Sequence, residues 1–287
     1  FTWVKAVRKM EKTETMGTTE NLLKSKFIAT DRAALTKNQV MDLAMDMGKI
    51  LLKSGAETSR VEDTMMRFCR SYGYYDLNVF CTPTVIILGD ESTQGQTRVF
   101  RVRWRATDLG LMMDVNQLSY NYHLWNFSYE EAKDWLQDKL SHAHPYGPVS
   151  LCLASGVGGA CFSMLLGGNF HDFLAAFAAG FIAMAMLKLL NTFRPSAFWE
   201  NFLAGFAIGI VSLTCCYFDR HCTMQNIIVG ALMPFLPGLS FTNGVRDYMA
   251  GDLLSGNSRI AEAVLFALSI ATGLVFSLKA WSWGGLL

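Results

Sequence analysis

Charged residues are scarce in this sequence. They make up 17% of the 287 residues, whereas hydrophobic residues make up 51%. A soluble globular protein carries about 25% charged residues, so the shortage is typical of a membrane protein. It is concentrated in residues 149–287, which hold six basic and six acidic residues, against 19 basic and 18 acidic in residues 1–148. We therefore predict a soluble first half and a membrane-embedded second half. The near-neutral balance of both halves argues against nucleic acid as a partner.

Two further signatures are missing. The sequence contains no glycine-rich phosphate-binding loop, so ATP-driven chemistry is unsupported and coupling to an ion or proton is the default expectation. Strongly apolar sequence begins only near Val149, so no cleavable signal peptide is expected.

The cysteines do not form a recognisable framework. Their number, seven, is odd, and four of them lie in apolar runs: Cys152, Cys161, Cys215 and Cys216. Small apolar core residues in a reducing compartment are the simpler interpretation. The group Cys215, Cys216, His221 and Cys222 matches no standard zinc spacing. No metal and no cofactor is therefore expected.

Residues 36–146 are predicted to form a cytoplasmic α+β domain after a polar segment, 1–35, which is either a basic helix on the inner leaflet or a flexible tail. Three capping boxes indicate helix starts, and each pairs a hydroxyl residue with Gln or Glu three positions later: Thr36 with Gln39, Ser59 with Glu62, and Ser128 with Glu131. A strand is predicted over 77–88 with a bulge at Pro83, and another over 97–106. Helices are predicted over about 112–126 and 129–141.

The second predicted strand carries an arginine on every other residue, at Arg101, Arg103 and Arg105. Side chains of a strand alternate between its two faces, so the three share one face. That face is either solvated or contacts a phosphate, a carboxylate or a lipid headgroup.

Residues 147–287 are predicted to form a membrane domain of five helices, at about 149–167, 172–190, 198–218, 225–250 and 259–281. Each segment is close to the ~20 residues that cross the hydrocarbon core of a bilayer. Glycine-rich patches in the first and third helices, Gly156–Ala160 and Gly205–Gly209, permit close helix packing within the chain or with a partner. The fold class is thus an α-helical integral membrane protein with an N-terminal α+β cytoplasmic domain.

The fourth helix is predicted to be broken. Pro234, Pro237 and Gly238 interrupt its apolar run, and proline both removes a backbone donor and clashes with the preceding turn. Discontinuous membrane helices hold the substrate in many secondary transporters. The candidate substrate-binding residues follow the break: Ser240, Thr242, Asn243, Arg246, Asp247 and Asp252. A plain Pro-Gly turn between a core helix and a cytoplasmic loop is the alternative.

Two stretches together resemble the threonine/serine exporter family. Residues 54–65 (SGAETSRVEDTM), which include Glu57, Arg60 and Glu62, resemble the motif that opens the cytoplasmic domain of that family. Residues 237–247 and 251–256 resemble its broken fourth helix and the loop that follows. The order and spacing of these blocks agree as well, so the resemblance covers about residues 36–281.

The resemblance implies a multi-pass exporter of small hydrophilic metabolites in the cell (inner) membrane, surrounded by membrane lipid. Long members carry about ten membrane helices, so five helices are similar to the split form, which works with a separate five-helix companion subunit; a homo-oligomer is the other option. Long members are associated with threonine and serine, and split members with dicarboxylates such as succinate. Arg246 suits a carboxylate in either class, whereas an amino acid also needs a counter-charge such as Asp247 or Asp252.

Two other functional classes compete with transport. Glu57, Arg60, Glu62 and Asp63 are arranged in sequence as in an acid–base site, which suggests a membrane-anchored enzyme. No nucleophile–histidine pair or metal triad supports this, so no catalytic residue is assigned. A sensor or scaffold is the third class, but five helices with a broken, charged one exceed what anchoring requires.

The loop charges predict a cytoplasmic N-terminal domain. Short inner loops then hold four basic residues and outer ones two, as the positive-inside rule requires. In a cysteine-free background, a cysteine at Asn169 is expected to react with an impermeant thiol reagent added to intact cells, and one at Ser196 is expected to stay unlabelled until the cells are opened. The reverse labelling pattern would contradict this topology.

Overall fold

The computed structural model describes residues 35–92, 95–103, 105–125, 128–141, 146–190 and 196–283. Apart from Leu35, the predicted polar segment 1–35 therefore lies outside the described residues.

The described chain has an α+β part followed by a helical part, and the predicted fold class is confirmed. The first part comprises α1 (Lys37–Lys53), α2 (Thr58–Ser71), β1 (Leu77–Thr82), β2 (Val85–Asp90), β3 (Thr97–Arg101), α3 (Leu109–Trp125) and α4 (Tyr129–Ser141). The second comprises α5 (Pro148–Leu165), α6 (Phe170–Leu190), α7 (Ala197–Phe218), α8 (Met224–Leu232) with a 3₁₀ turn (Met233–Phe235), α9 (Gly238–Met249) and α10 (Leu253–Trp283).

The core of the α+β part is formed by the apolar stripes of α1 and α2 against one face of the sheet. Residues recurring at helical spacing on α1 are fully buried, as the sequence predicts: Val40, Leu43, Met47, Ile50 and Leu51. On α2, Val61, Met65 and Phe68 are also buried. The sheet contributes Leu77, Cys81, Ile86 and Leu88 to the same cluster.

The prediction of one strand over 77–88 is wrong, because the chain reverses at Pro83–Thr84 and forms an antiparallel hairpin. Thr82 pairs with Val85, and the hydroxyl of Thr82 accepts the backbone N–H of Val85 at 3.2 Å. Proline at this position of a turn presets the backbone for the turn. Pro83 therefore lies in the turn of the hairpin and not in the predicted bulge. The sheet order is β1-β2-β3, and β3 ends at Arg101 instead of continuing to residue 106.

Two of the three predicted capping boxes are confirmed. Thr36 and Gln39 exchange side-chain and backbone hydrogen bonds, and so do Ser128 and Glu131. The third is wrong: α2 begins at Thr58 with Glu57 as its N-cap, and Glu62 instead accepts the backbone N–H of Cys81 at 2.7 Å. The carboxylate of Glu62 is thereby used to join α2 to the sheet.

Four helices of the second part, α5, α6, α7 and α10, are long and apolar enough to cross a membrane. The segments Met224–Phe235 and Gly238–Met249 together pass the same test but are bent by 58°, so they form either a fifth, broken span or a re-entrant loop. The bend occurs at Pro234, Pro237 and Gly238, the residues predicted to break the helix. These helices support a multi-pass membrane protein.

Small residues bring the membrane helices into close contact within the chain. On α5, an ideal Cβ at Gly159 would lie 3.0 Å from the Cα of Ala231 on α8. On α7, a Cβ at Gly205 would overlap the carbonyl oxygen of Ile270 on α10. Both glycine-rich patches predicted from the sequence therefore face neighbouring helices of the same chain.

Gly205→Ala is expected to lower the melting temperature of the purified protein in detergent, because a fixed backbone oxygen occupies the space of the new methyl group and overpacking typically costs about 1–3 kcal/mol. Gly158→Ala is the matched control, since its Cβ would meet Pro234 Cγ at an ordinary 3.5 Å. For each variant, the fraction of protein that remains monodisperse in size-exclusion chromatography after heating measures its stability. A Gly205→Ala protein at least as stable as Gly158→Ala would contradict the close contact.

Candidate functional site

The broken helix ends against the α+β part of the chain, which is predicted to be soluble and is called the soluble part below. The buried face of α9 contacts the loop between α1 and α2 and the start of α2: Asn243 contacts Gly55, and Asp247 contacts Thr58. That loop turns sharply because Gly55 adopts φ +85°, a left-handed conformation that glycine reaches without strain and that commonly ends helices. We call the contacts of this loop with α9 and α10 the junction. The two stretches that resemble the exporter family thus meet there.

Thr58 is the centre of the junction. Its hydroxyl lies 2.8 Å from Asp247 Oδ1 and 3.0 Å from Asp252 Oδ2, and its backbone N–H donates to Asp247 Oδ1 at 3.3 Å. Thr58 stands in the first turn of α2, where unpaired N–H groups and the helix dipole favour a negative charge. These two carboxylates, one within α9 and one after it, therefore stabilise the N-terminus of α2.

Arg259 on α10 neutralises Asp247 in the interior. Its Nη2 donates to the carbonyl oxygen of Ala56 at 2.6 Å, and its Nε lies 3.0 Å from Asp247 Oδ2. The Nε–Oδ2 contact is electrostatic, since its angles are not those of an aligned hydrogen bond. Both side chains are buried, at 3% and 0% exposure. Ionised groups are retained at such depth only when they are paired.

Two more bonds complete the junction. Asn243 donates from Nδ2 to the carbonyl oxygen of Gly55 at 3.0 Å. Arg105, in the connection after β3, donates from Nη2 to both carboxylate oxygens of Glu262 on α10 at 2.9 Å. The arginine row predicted from the sequence therefore includes one carboxylate contact, made within the chain.

Arg246 lies at the edge of the junction and pairs with Glu57. Beside this pair is a cavity of about 380 Å³, which we call the junction cavity. Its lining comes from both parts of the chain: Gly55, Ala56, Glu57, Arg60, Thr107, Leu109, Met112, Met113, Asn116, Leu239, Asn243 and Arg246. Small-molecule sites typically have volumes of about 300–1,000 Å³, mostly apolar walls and a few polar groups.

The predicted site residues therefore separate into three groups. Asn243 and Arg246 line the junction cavity, and Asp247 and Asp252 hold Thr58 beside it. Thr242 is exposed and its hydroxyl donates to the carbonyl oxygen of Gly238 within its own helix. Ser240 is half-buried, does not line the junction cavity and makes none of the junction contacts given above. Thr242, a candidate substrate-binding residue, therefore does not line the junction cavity with Asn243 and Arg246.

The residues of the motif at 54–65 also lie in different places. Glu57 and Arg60 line the cavity, whereas Glu62 is directed to the sheet. Burial raises the pKa of the Glu62 carboxyl above its ordinary value, and the hydrogen bond from Cys81 opposes that rise. The four residues considered for an acid–base site thus do not share one site.

The soluble part also holds two buried thiols. Burial raises the pKa of Cys69 to about 12 and raises the pKa of Cys81 as well. Both are therefore protonated at neutral pH and behave as core residues. Among the described residues, no three His, Cys, Asp or Glu side chains are grouped so that they could hold a metal ion.

Sequence reasoning missed Thr58, Arg259 and Glu262, and it left the partner of Arg105 open. Thr58 was visible within the motif, and Arg259 was visible as a charge at the start of a membrane helix. A charge in such a segment normally has a partner. The partner of Thr58 is 189 positions away, and no periodicity in the chain indicates it.

Comparison with known proteins decides the family. The sequence model of the threonine/serine exporter family matches residues 42–281. This chain belongs to the threonine/serine exporter family. The resemblance predicted from residues 54–65 and 237–256 is thus confirmed.

The relatives in the threonine/serine exporter family are distant. A Mycobacterium tuberculosis protein named "Probable threonine/serine exporter" is 24% identical over 249 residues, which cover 85% of this chain and 47% of the relative. The "Threonine/serine exporter" of Corynebacterium glutamicum is 26% identical over 245 residues, which cover 82% and 50%. "Pheromone-regulated membrane protein 10" of Debaryomyces hansenii is 21% identical over 83% of this chain and 24% of its own length. The chain spans about half the length of the first two, and no solved structure matches it.

Asp247→Asn is expected to destabilise the protein strongly, because it leaves Arg259 buried without a counter-charge; breaking such a pair costs about 3–5 kcal/mol. Thermal unfolding in detergent measures the effect. Asp114→Asn is the control, since Asp114 pairs with Lys139 near the surface, where a salt bridge contributes about 0–1 kcal/mol. Adding Arg259→Gln to Asp247→Asn is expected to recover part of the loss. Equal melting temperatures for Asp247→Asn and the control would contradict the buried pair.

Proposed function

We propose that this chain is a subunit of a secondary membrane exporter of small hydrophilic metabolites and that the substrate binds in the junction cavity. One observation carries the proposal: Arg246 and Asn243 of the broken helix line a cavity of about 380 Å³ together with Glu57 and Arg60 of the soluble part. A substrate there touches both the membrane-spanning part and the soluble part. Its binding therefore acts on the contact between them.

The charges of the cavity favour an amino acid over a dicarboxylate. Arg246 and Arg60 supply planar guanidinium groups that suit a carboxylate, and Glu57 supplies the counter-charge for an ammonium group. A zwitterion satisfies both signs. A dicarboxylate such as succinate directs a second negative charge at a lining that includes Glu57. The printed names of the two bacterial relatives, threonine/serine exporters, agree with the amino acid.

Substrate binding at this position replaces an internal ion pair. Arg246 and Glu57 pair with each other beside the junction cavity, with side chains 57% and 17% exposed. Exposed pairs contribute little stability, about 0–1 kcal/mol, so exchanging the partner of Arg246 for a substrate carboxylate has a small cost. The neighbouring Asp247 and Asp252 remain bound to Thr58 and keep the cavity walls in place.

A partner subunit completes the transport unit in this proposal. One face of α9, the helix that begins directly after the break, exposes large apolar side chains: Phe241, Val245, Tyr248 and Met249. In a bilayer, irregular backbone is tolerated only against protein or a water-filled cavity. A separate five-helix companion supplies that cover, or a second copy of this chain does. The soluble part faces the cytoplasm of a cell whose inner membrane holds the complex.

The test is transport by the complex in lipid vesicles, with and without the companion. Arg246→Ala is expected to abolish threonine export, and Arg246→Lys to lower it by about tenfold or more, because lysine keeps the charge but loses the bidentate fork. Exposed Arg101, outside the cavity lining, gives the control Arg101→Lys, which is expected to transport at the wild-type rate.

Two results would contradict the proposal. Export at the wild-type rate by Arg246→Ala would show that the substrate does not bind in the junction cavity. Vesicles that export neither threonine nor succinate, with the companion present and a proton gradient imposed, argue against the exporter itself.

A further inference from the structure

A second cavity lies on the soluble part, between α2 and α3, and has a volume of about 390 Å³. We call it the polar cavity. It is lined almost wholly by polar and charged side chains: Glu57, Ser59, Arg60, Asp63, Thr64, Arg67, Asn116 and Tyr120. The proposed substrate site accounts for only three of these residues, Glu57, Arg60 and Asn116.

The helix periodicity explains how the lining is assembled. Arg60, Thr64 and Arg67 recur at intervals of four and three residues, so they share one face of α2. The neighbouring face of α2 is buried in the core through Val61, Met65 and Phe68. The polar face is therefore directed at α3, which contributes Asn116 and Tyr120 one turn apart.

Arg67 is held in place inside the polar cavity. Its guanidinium carbon lies 4.0 Å from the centre of the Tyr120 ring, and its Nη2 donates to Ser119 Oγ at 3.3 Å and is 3.5 Å from Thr64 Oγ1. The Nε of Arg67 is buried and has no hydrogen-bond partner among the described residues. The stacking on Tyr120 and the contact with Ser119 therefore fix the guanidinium group of Arg67 at the wall of the polar cavity.

The polar cavity adjoins the junction cavity. Glu57, Arg60 and Asn116 line both. The two cavities are therefore neighbours on either side of these three side chains, and the junction cavity is the one that borders the broken helix.

We propose that the polar cavity is a binding site for a small zwitterionic amino acid, occupied before the junction cavity. This inference rests on the proposed export function. Arg67 and Arg60 receive the α-carboxylate, Asp63 and Glu57 receive the α-ammonium group, and Ser59, Thr64 and Asn116 offer partners for a side-chain hydroxyl. Two cationic and two anionic side chains match the two charges of one zwitterion, whereas a dicarboxylate meets two carboxylates of like sign.

Binding to the full-length chain in detergent tests the inference. Calorimetric titration with L-threonine is carried out in an Arg246→Ala background, which removes the main cation of the junction cavity. Adding Arg67→Gln is expected to weaken threonine binding about tenfold or more, since a hydrogen bond to a charged group contributes about 1.5–3 kcal/mol. Arg70→Gln, an exposed position on the same helix outside the cavity lining, is the matched control and is expected to bind as its parent does.

A second variant covers the case in which Arg67→Gln fails to fold. Ser59→Asp adds a third carboxylate to the cavity while placing a negative charge in the first turn of α2, where the helix dipole favours it. It is expected to keep the melting temperature and to weaken threonine binding about tenfold. Succinate and L-threonine methyl ester, which lacks the free carboxylate, are expected to bind at least about tenfold more weakly than threonine.

Wild-type threonine affinity in both Arg67→Gln and Ser59→Asp would overturn the inference, as would succinate binding as tightly as threonine. These outcomes are distinct from failure of the proposed function, which shows as absent export in vesicles. Export that persists without threonine binding to the polar cavity overturns the inference alone. Threonine binding that depends on Arg67, in a complex that exports nothing, leaves the site in place and overturns the exporter.

Discussion

The buried pair of Asp247 and Arg259 is the constraint on which the rest of the structure depends. An ionised carboxylate or guanidinium group in the interior is costly unless it is paired, and each of these side chains completes its shell with atoms of the soluble part: Thr58 for Asp247 and the carbonyl oxygen of Ala56 for Arg259. Neither the broken helix nor the loop between α1 and α2 satisfies its polar groups alone. The two parts of the chain therefore stabilise each other through charges.

This arrangement also accounts for the position of the cavities. The loop that supplies Thr58 to the junction continues into α2, whose polar face forms the second cavity. Glu57 and Arg60 lie within one turn of the buried contact and are placed by it. The more exposed pair of Arg246 and Glu57 thus lies at the rim of the fully buried contact between Asp247 and Arg259.

Much of the fold could be predicted from local patterns. The membrane segments, the broken helix, the buried stripe of α1 and two capping boxes follow from apolar runs, prolines and short spacings. Pro83 was misjudged because proline suits a bulge and a turn alike, and the hydrogen bond between Thr82 and Val85 that decides between them is not visible in sequence. Of the candidate site, Arg246 and Asn243 were identified by type and position. Their partners are about 190 positions away, and only the folded chain shows them.

The bend in the fourth span makes α9 a lever. Its 12 residues form an arm of about 18 Å, hinged at Pro237 and attached to the loop at Thr58 near its far end. A swing of about 10° at the hinge moves that end by about 3 Å, which is far more than the ~0.5 Å width of the range of donor–acceptor distances, about 2.7–3.2 Å, over which a hydrogen bond holds. Any appreciable tilt of α9 therefore either breaks the attachment at Thr58 or carries the α+β part with it. Movement of the broken helix is in this way transmitted mechanically to the other part of the chain.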